Sequence, residues 1–580
     1  MYNEFEIRQI PLSLKNNYAK VTLFLKENGL RIDHLDYYAG VFANDGDELL
    51  GGGGLAGNVI KCLAVSEKLR DEGFSTKLVS HLVEKAMACG YLSVRLFTKP
   101  ENQKIFESLG FRLLAKAEKA LLLEIGSGGM SDYCHYLSTL KRQGKKGVIV
   151  MNANPLTRGH EYLLETATKK VDWLYLIPVK EDASLFSYKE RKDIIKKSCE
   201  KYDNVIVCDG SDYAVSKLTF PTYFLKQITD ATDTHIALDL DLFSTQIARA
   251  LDVSIRFVGS EPNDGLTRKY NEVMKEILPM HGIEVKEIER LSTAELPISA
   301  SLVRKNLLNG VFSFSSSLAA KDAIPYIIAH LATNALQQEL DLTPKPGLVD
   351  RSDAGAHYDM DAKLMQTSID VLHSYFVEVA LATFQSSQPD YSTLSSIGLK
   401  AEEAMFVATN GVNTHKGAFF ALGLAVAAAS HLYYNKGEIE ESALQGCIKS
   451  LALLFPETKA TNGRKACDEY GIKGALANAQ EGYATLFADW LPFYHQLQDD
   501  EYKQYKLLLR IMSSLDDSNV CHRRGKERLD QMKQEAKETL DDFSVEALQQ
   551  LNQLYIAENV SPGGGADMLS LTLFINAILN

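Results

Sequence analysis

The chain has 580 residues, of which 46% are hydrophobic and 24% are charged, and its formal net charge is -13 at pH 7. This composition is ordinary for folded proteins, and the length predicts several domains. The acidic balance argues against general binding of nucleic acid, which requires a basic surface. The 8 cysteines are scattered without a C-x-x-C pair. This pattern indicates reduced thiols in a cytoplasmic protein rather than disulfides or a zinc site.

No membrane association is expected from the sequence. The first residues, MYNEFEIRQIPLSLKNN, lack the apolar stretch of a signal peptide. The longest apolar run, Gly417 to Ser430, is shorter than the roughly 20 residues that cross a bilayer. We therefore predict that this run forms a buried core helix.

Residues 1–130 mix strands and helices. We predict strands at Val59–Val65 and Val94–Thr98 and a helix at Ser75–Cys89, followed by a glycine-rich linker at 126–130. The loop Leu69–Ser75, with Asn102 and Leu109–Phe111 further on, resembles the GNAT acetyltransferase fold. Ser75 stands where that fold usually has a small glycine or alanine, and no general base is evident. The resemblance implies a GNAT-like α/β domain.

Residues 131–318 alternate between strands and helices, which predicts a Rossmann-like doubly wound sheet. The predicted strands are 147–151, 173–179, 205–208, His235–Leu238 and 255–258, and the predicted helices include 161–169, 188–200 and 266–278. A serine-rich stretch, Phe312 to Leu318, indicates a boundary. Residues 319–580 carry long 3.6-residue periodicities, as at Leu364–Phe384 and Ala418–Tyr434, which predict an all-α domain.

A candidate nucleotide site follows the first strand of the middle region. Asn154 and Thr157 lie in the connecting turn, and Gly159 and His160 open the next helix. The carboxyl ends of parallel strands bind ligands in such sheets, and a helix N-terminus favours phosphate. Gly159 allows close approach of the backbone, and His160 can donate to a phosphate oxygen.

A second segment, Ile298-Ser-Ala-Ser-Leu-Val-Arg304, places Ser299, Ser301 and Arg304 at the start of another predicted helix. The two segments resemble the T/H-x-G-H and I-S-x-S-x-x-R motifs of the nucleotidyltransferase superfamily, with Thr157 in place of the usual first histidine. That resemblance implies charge stabilisation at a nucleotide triphosphate. A cap for each helix is the structural alternative.

Over the first ~310 residues the resemblance becomes specific to one family. It is carried by the runs N-A-N-P-L-T-R-G-H-E-Y-L, P-V-K-E-D-A-S-L-F-S-Y-K-E-R, T-R-K-Y-N and R-F-V-G-S-E-P, the last of which contains Gly259. These runs resemble the citrate lyase ligase family. The resemblance implies that ATP activates acetate as acetyl-AMP with release of pyrophosphate. The acetyl group then passes to the prosthetic-group thiol of the citrate lyase acyl carrier protein, the gamma subunit. It also implies catalytic roles for His160, Thr157 and Arg304, and nucleotide binding by Asn154, Gly159, Gly259, Ser299 and Ser301. We further hypothesise that the GNAT-like domain docks the CoA-like arm of that carrier.

Four polar, glycine-containing clusters stand out in the helical region. They are Lys345–Asp350 with Gly355–Asp361, Gly411–Gly417, Asp516–Gly525 and Ser561–Met568. The second and fourth directly precede apolar helices, whose N-termini could hold phosphate. Helix caps and tight turns are the structural alternative.

Over residues 325–580 these clusters resemble the triphosphoribosyl-dephospho-CoA synthase family, with Arg524 where a glycine is expected. The resemblance implies that ATP and 3′-dephospho-CoA are substrates and that adenine is released. We expect Asp350 and Asp359 to be catalytic and to bind Mg²⁺ together with Asp361, Asp517 and Asp567. Nucleotide binding is expected from Lys345, Thr414, His415, Lys416, Gly417, Asn519, Arg523 and Gly564.

Two other functions remain open from the residues alone. One is a different adenylyltransferase, for example one acting on a pantetheine phosphate, fused to a nucleotide-binding helical module. The other is a scaffold that binds nucleotides without turnover.

Overall fold

A computed structural model describes residues 5–43, 46–67, 74–180, 184–213, 228–261, 264–289, 298–386, 389–456, 467–497 and 500–580. The chain divides into two compact units. The first unit contains Met1–Ala153 and Gly159–Pro297, and the second contains Asn154–Arg158 and Ile298–Asn580.

A mixed sheet of seven strands begins the first unit. Its strands are β1 (Phe5–Gln9), β2 (Tyr37–Ala43), β3 (Leu49–Ala56), β4 (Val59–Val65), β5 (Ser93–Thr98), β6 (Arg112–Lys116) and β7 (Leu121–Gly126), in the order β1-β2-β3-β4-β5-β7-β6. The helices of this part are α1 (Lys15–Glu27), α2 (Phe74–Ala88) and α3 (Gln103–Ser108). The predicted strands 59–65 and 94–98 and the helix 75–89 are confirmed. Residues 69–73 of the loop that resembles the GNAT fold lie outside the described residues.

A second sheet of five parallel strands follows in the same unit. Its strands are β8 (Lys146–Met151), β9 (Trp173–Pro178), β10 (Val205–Val207), β11 (Ile255–Gly259) and β12 (Glu284–Ile288), in the order β10-β9-β8-β11-β12. The helices are α4 (Met130–Thr139), α5 (Arg158–Thr168), α6 (Tyr188–Cys199), α7 (Ile228–Leu242), α8 (Ala248–Leu251) and α9 (Gly265–Ile277). The order changes direction at β8, so the doubly wound arrangement predicted from the sequence is confirmed.

The strand predicted at His235–Leu238 is wrong, because these residues belong to helix α7. Its buried apolar residues alternate as in a strand, since the helix packs on two sides. Leu238 and Leu242 contact the core beside the seven-stranded sheet, whereas Ile236 and Leu240 join the core of the five-stranded sheet. A helix buried on two faces loses the one-sided apolar stripe that normally reveals it.

The seven-stranded sheet shares a hydrophobic core with helix α7 and with Tyr213, which follows β10. Val59 and Phe97 of the first sheet cluster with Tyr213 and Leu238. Arg95 of β5 also donates to the backbone oxygen of Asp212 and lies over the Tyr213 ring. Removing residues 1–130 would expose this core to water, at a cost proportional to the apolar area uncovered.

The second unit is helical. Its helices are α10 (Ala300–Leu308), α11 (Phe312–Leu318), α12 (Ile324–Asp341), α13 (Ala362–Phe384), α14 (Tyr391–Ala408), α15 (Lys416–Lys436), α16 (Glu441–Ala452), α17 (Ala475–Gln480), α18 (Leu491–Gln496), α19 (Lys503–Ser514), α20 (Ser518–Asp541), α21 (Val545–Ala557) and α22 (Gly563–Leu579). The described residues beyond 320 contain no strand, as predicted. Helix α20 is interrupted at Gly525, whose φ of 82° lies in the left-handed region that glycine tolerates. The serine-rich stretch predicted as a boundary forms α11.

Helix α15 is the core helix predicted from the apolar run. Its 21 residues are long and apolar enough to cross a membrane, yet 67% of the most apolar window is buried in the fold. It packs against α12, α13 and α22, which explains its apolar character on all sides. All eight cysteines are free thiols.

Candidate active sites

The turn that follows β8 is held by a buried arginine of α6. The Arg191 side chain is fully buried and donates to the backbone oxygens of Asn152 at 2.9 Å and Val179 at 2.8 Å, which follow β8 and β9. It also donates to the backbone oxygen of Phe186 at 3.1 Å. Charge-assisted bonds to these carbonyls fix the carboxyl-end edge of the sheet, which is where open parallel sheets generally bind ligands. Arg191 was not identified as a site residue from the sequence, although it ends the run F-S-Y-K-E-R that resembles the ligase family.

Three predicted site residues of the first unit lie on α5 and β11, at this edge of the five-stranded sheet. Gly159 and His160 are half-buried in the first turn of α5, and Gly259 ends β11, the neighbour of β8. A Cβ added at Gly259 would meet none of the described residues within 4 Å, whereas the backbone oxygen of Gly259 accepts from the Asn271 side chain at 3.0 Å. The space above Gly259 is therefore open.

Arg304 connects the two predicted nucleotide motifs within the second unit. Its guanidinium donates to the backbone oxygen of Asn154, 150 residues earlier, and to the Ser301 Oγ at 3.1 Å. Burial lowers the pKa of Arg304 below its ordinary value. The structure thus places Asn154, Ser301 and Arg304 in one cluster.

The other two motif residues of this unit have structural contacts. Ser299 caps α10, since its Oγ accepts from the Leu302 backbone N–H at 3.2 Å. Thr157 is buried and pairs with Ala319 in an isolated antiparallel bridge. The cap is the structural alternative foreseen from the sequence, and it also orients the helix that carries Ser301 and Arg304.

The helical unit encloses a cavity of about 750 Å³. All four polar clusters contribute to its wall, although they lie up to two hundred residues apart. The predicted site residues that line it are Asp359, Thr414, His415, Lys416, Gly417, Asp517, Asn519, Arg523, Gly564 and Asp567. Convergence of distant clusters on one concave surface is the usual geometry of a ligand site.

Three other predicted site residues do not line the cavity. Lys345 is fully buried in an ion pair with Glu339. The Asp350 carboxylate accepts from the backbone N–H groups of Lys345 at 2.9 Å and Ser352 at 2.7 Å, so it stabilises its own loop. Asp361 caps α13 by accepting from the Leu364 N–H at 2.8 Å.

Two buried carboxylates meet at the N-termini of α15, α20 and α22. Asp517 accepts from the Gly565 N–H at 3.0 Å, and a Cβ on Gly564 would lie 2.9 Å from its Oδ2. A Cβ on Gly417 would lie 2.1 Å from Asp567 Oδ2. Both glycines are thus required for close approach of a carboxylate to the backbone.

The charges of these groups are unfavourable in the absence of a cation. Burial raises the pKa of Asp517, and burial together with the charges of Asp517 and Glu339 raises the pKa of Asp567 well above its ordinary value. Oxygen ligands of this kind suit a hard divalent cation such as Mg²⁺. The donor set around Asp517 and Asp567 therefore fits the metal implied by the sequence resemblance.

Cationic side chains lie at the more exposed wall of the cavity. Lys416 begins α15 and pairs with Glu402, and Arg523 donates to the Ala356 backbone oxygen at 3.3 Å. His357 bonds the Ser561 Oγ at 2.7 Å, and its Nδ1 lies 3.8 Å from the Asp359 carboxylate. Burial, and secondly Arg523, lower the pKa of His357.

Other wall residues were not identified from the sequence. They include Glu339, Glu402, Tyr483 and Ser570. Glu339 lies within an otherwise ordinary helical pattern, so only its charge at a buried position could have revealed it.

Family profiles of known proteins match three regions of the chain, and these are the regions in which the motifs lie. A family profile described as the citrate lyase ligase C-terminal domain matches residues 146–327, and one described as ATP:dephospho-CoA triphosphoribosyl transferase matches residues 325–580. A third, described as the acetyltransferase (GNAT) family, matches residues 8–111.

Curated relatives match each half over most of their own length. A citrate (pro-3S)-lyase ligase of Klebsiella pneumoniae is 42% identical over 288 residues, which are 49% of this chain and 84% of the relative. One from Escherichia coli K12 is 34% identical and covers 58% of this chain and 96% of the relative. A probable 2-(5″-triphosphoribosyl)-3′-dephosphocoenzyme-A synthase of Streptococcus mutans is 36% identical, over 43% of this chain and 95% of the relative.

These matches agree with the sheet-rich front half and the helical rear half. The chain therefore belongs to the citrate lyase ligase family through its front half and to the triphosphoribosyl-dephospho-CoA synthase family through its rear half, and it is an enzyme that combines a ligase with a transferase.

Proposed function

We propose that the rear half transfers the triphosphoribosyl group of ATP to the 2′-hydroxyl of 3′-dephospho-CoA and releases adenine. The observation that carries this proposal is the convergence of the four clusters on one cavity with cationic groups, buried carboxylates and three helix N-termini. Such a cavity suits a polyphosphate, because cations and helix N-termini both favour negative charge.

In this reaction the 2′-hydroxyl oxygen bonds to C1′ of the ATP ribose while the C1′–N9 bond breaks. The bond's electron pair leaves with adenine, which takes up a proton, and the hydroxyl proton passes to a base. Lys416 and Arg523 would hold the triphosphate. Asp359, half-exposed beside His357, is the proposed base. Asp517 and Asp567 would hold Mg²⁺, which neutralises triphosphate charge when bound.

The rear activity is tested by mass spectrometry of the products formed from ATP and 3′-dephospho-CoA. We expect free adenine and a product that retains the triphosphate. Nucleotide binding without adenine release would instead favour a scaffold, which is the alternative left open by the sequence.

We also propose that the front half activates acetate with ATP as acetyl-AMP, releases pyrophosphate, and acetylates the prosthetic-group thiol of the citrate lyase acyl carrier protein. The supporting contact is Arg304, which holds Asn154 of the first motif and Ser301 of the second. In this proposal His160, at the start of α5, donates to the phosphate that acetate attacks, so that its negative charge is stabilised.

Acetate-dependent exchange of pyrophosphate into ATP tests the front activity. We expect His160→Ala to abolish this exchange and to leave adenine release by the rear half unchanged. Exchange that depends on a pantetheine phosphate instead of acetate would favour the other adenylyltransferase left open above.

The GNAT-like domain is proposed to dock the CoA-like arm of the carrier protein in the cytoplasm. Deletion of residues 1–130 cannot test this idea cleanly, because it would expose the core shared with Tyr213 and Leu238. A surface substitution is better suited, and Lys77 is exposed near the start of α2. Lys77→Glu should raise KM for the carrier and leave the acetate-dependent exchange unchanged. An unchanged KM would remove this end of α2 from the docking surface.

A further inference from the structure

Three polar atoms in the wall of the rear cavity have no hydrogen-bond partner among the residues that the structure describes. They are His415 Nε2, Tyr483 Oη and Ser570 Oγ. Their side chains are 3%, 4% and 1% exposed. Buried polar groups are almost always hydrogen-bonded, and leaving one unsatisfied costs stability. Three such groups on one cavity indicate that a ligand completes them.

The three groups are arranged around Asp567. Ser570 follows Asp567 by nearly one turn of α22. Burial raises the pKa of Tyr483, and the charge of the nearby Asp567 raises it further. His415 immediately precedes α15, whose Gly417 contacts the Asp567 carboxylate. The groups therefore belong to one region of the wall.

The hydrogen bonds at His415 Nδ1 determine whether Nε2 is a donor or an acceptor toward a ligand. Thr414 Oγ1 donates to Ser368 Oγ at 2.7 Å, and Ser368 Oγ lies 2.9 Å from His415 Nδ1. Ser368 Oγ accepts from Thr414, and among the described residues His415 Nδ1 is the acceptor in reach of its own hydroxyl proton, which is therefore directed to Nδ1. The ring proton then lies on Nε2, which becomes a neutral donor. Burial supports this state, because it lowers the pKa of His415 to about 3.

This part of the wall differs chemically from the cationic part. Lys416 and Arg523 are exposed and charged, whereas His415, Tyr483 and Ser570 are buried and uncharged at neutral pH. Apolar wall residues such as Met405 and Met568 accompany them. A flat, uncharged ring with hydrogen-bonding edges matches such a surface, whereas a phosphate does not.

We propose that His415, Tyr483 and Ser570 recognise the edge of a purine base within the rear cavity. This assignment rests on the proposed function, which brings adenine nucleotides there. The backbone of Tyr483 supports a dedicated role. Its φ of 49° is in the left-handed region that tyrosine rarely adopts. Strained residues of this kind persist where the surrounding structure holds a functional side chain in place.

The experiment uses the full chain and two probes, free adenine and inorganic tripolyphosphate, with binding measured by calorimetry. Tyr483→Phe removes only the hydroxyl. We expect at least a tenfold loss of adenine affinity, unchanged tripolyphosphate affinity, and a melting temperature equal to or above that of the wild type. The last expectation follows because the hydroxyl has no partner to lose.

Tyr555→Phe is the matched control. The Tyr555 hydroxyl is also buried, but it donates to the Met532 backbone oxygen at 3.3 Å and does not line the cavity. This variant should melt at a lower temperature and bind both probes as the wild type does.

The outcomes separate the two proposals. Unchanged adenine affinity in Tyr483→Phe, or an equal loss for both probes, would overturn the base assignment. A wild-type chain that binds tripolyphosphate but not adenine would overturn it as well. A wild-type chain that binds neither probe would refute the proposed function of the rear half itself.

Discussion

Among the described residues, the closest approach between a glycine and a candidate metal-binding carboxylate is at Gly417. A Cβ at this position would lie 2.1 Å from Asp567 Oδ2, about 1 Å closer than such contacts normally allow. In the variant Gly417→Ala the Asp567 carboxylate must therefore move by roughly 1 Å. A displacement of that size in an active-site group costs on the order of 100-fold in rate, or about 2.7 kcal/mol of transition-state stabilisation.

The assay is the initial rate of adenine release from ATP with 3′-dephospho-CoA, measured beside acetate-dependent pyrophosphate exchange. We expect the first rate to fall by about 100-fold and the second to stay unchanged. Gly446→Ala is the control, because Gly446 also lies within a helix and a Cβ there would meet no described atom within 4 Å. Alanine there should stabilise the fold by up to about 1 kcal/mol. Undiminished adenine release in Gly417→Ala would refute the role given to the Asp567 position.

Three further results are expected. Asp567→Asn should abolish adenine release yet raise the melting temperature of the free protein. The pKa of Asp567 in the folded state is raised above 3.8, so its contribution to folding stability is complete below that pH and is lost as the pH rises. The gain in melting temperature of the variant should therefore be largest near pH 8 and vanish near pH 4. Arg191→Met should destabilise the fold by about 3 kcal/mol or more in urea titrations and suppress acetate-dependent exchange, because buried carbonyls lose a charged donor. Arg304→Lys should slow that exchange by roughly 100-fold with adenine release intact, since lysine cannot bridge Asn154 and Ser301 as a fork.

Much of the fold could be predicted because its helices and strands carry regular apolar patterns. The parallel strands of the middle region are short β-branched runs, and the strand order then follows from ordinary winding rules. Helix α7 could not be predicted, because whether alternate apolar residues indicate a strand depends on what packs on each side. Its two neighbours are a sheet more than a hundred residues earlier and a core of its own domain. Local patterns do not contain that information.

The candidate sites show a related limit. Motif residues identified the cavity, yet Lys345 of the same motifs forms an ion pair with Glu339 of α12, and Asp350 stabilises its own loop. A charged residue in a motif can hold the fold as readily as it can bind a ligand. The distinction depends on which partners lie within reach after folding. Tyr483 is the opposite case, because it lines the cavity but belongs to none of the motifs. Its hydroxyl is significant because no partner among the described residues reaches it, and an unsatisfied group is a property of the folded chain that no spacing of residues can express. The parts of an active site that bind uncharged ligand groups are therefore the hardest to foresee, because they are built from single polar atoms on otherwise apolar helices.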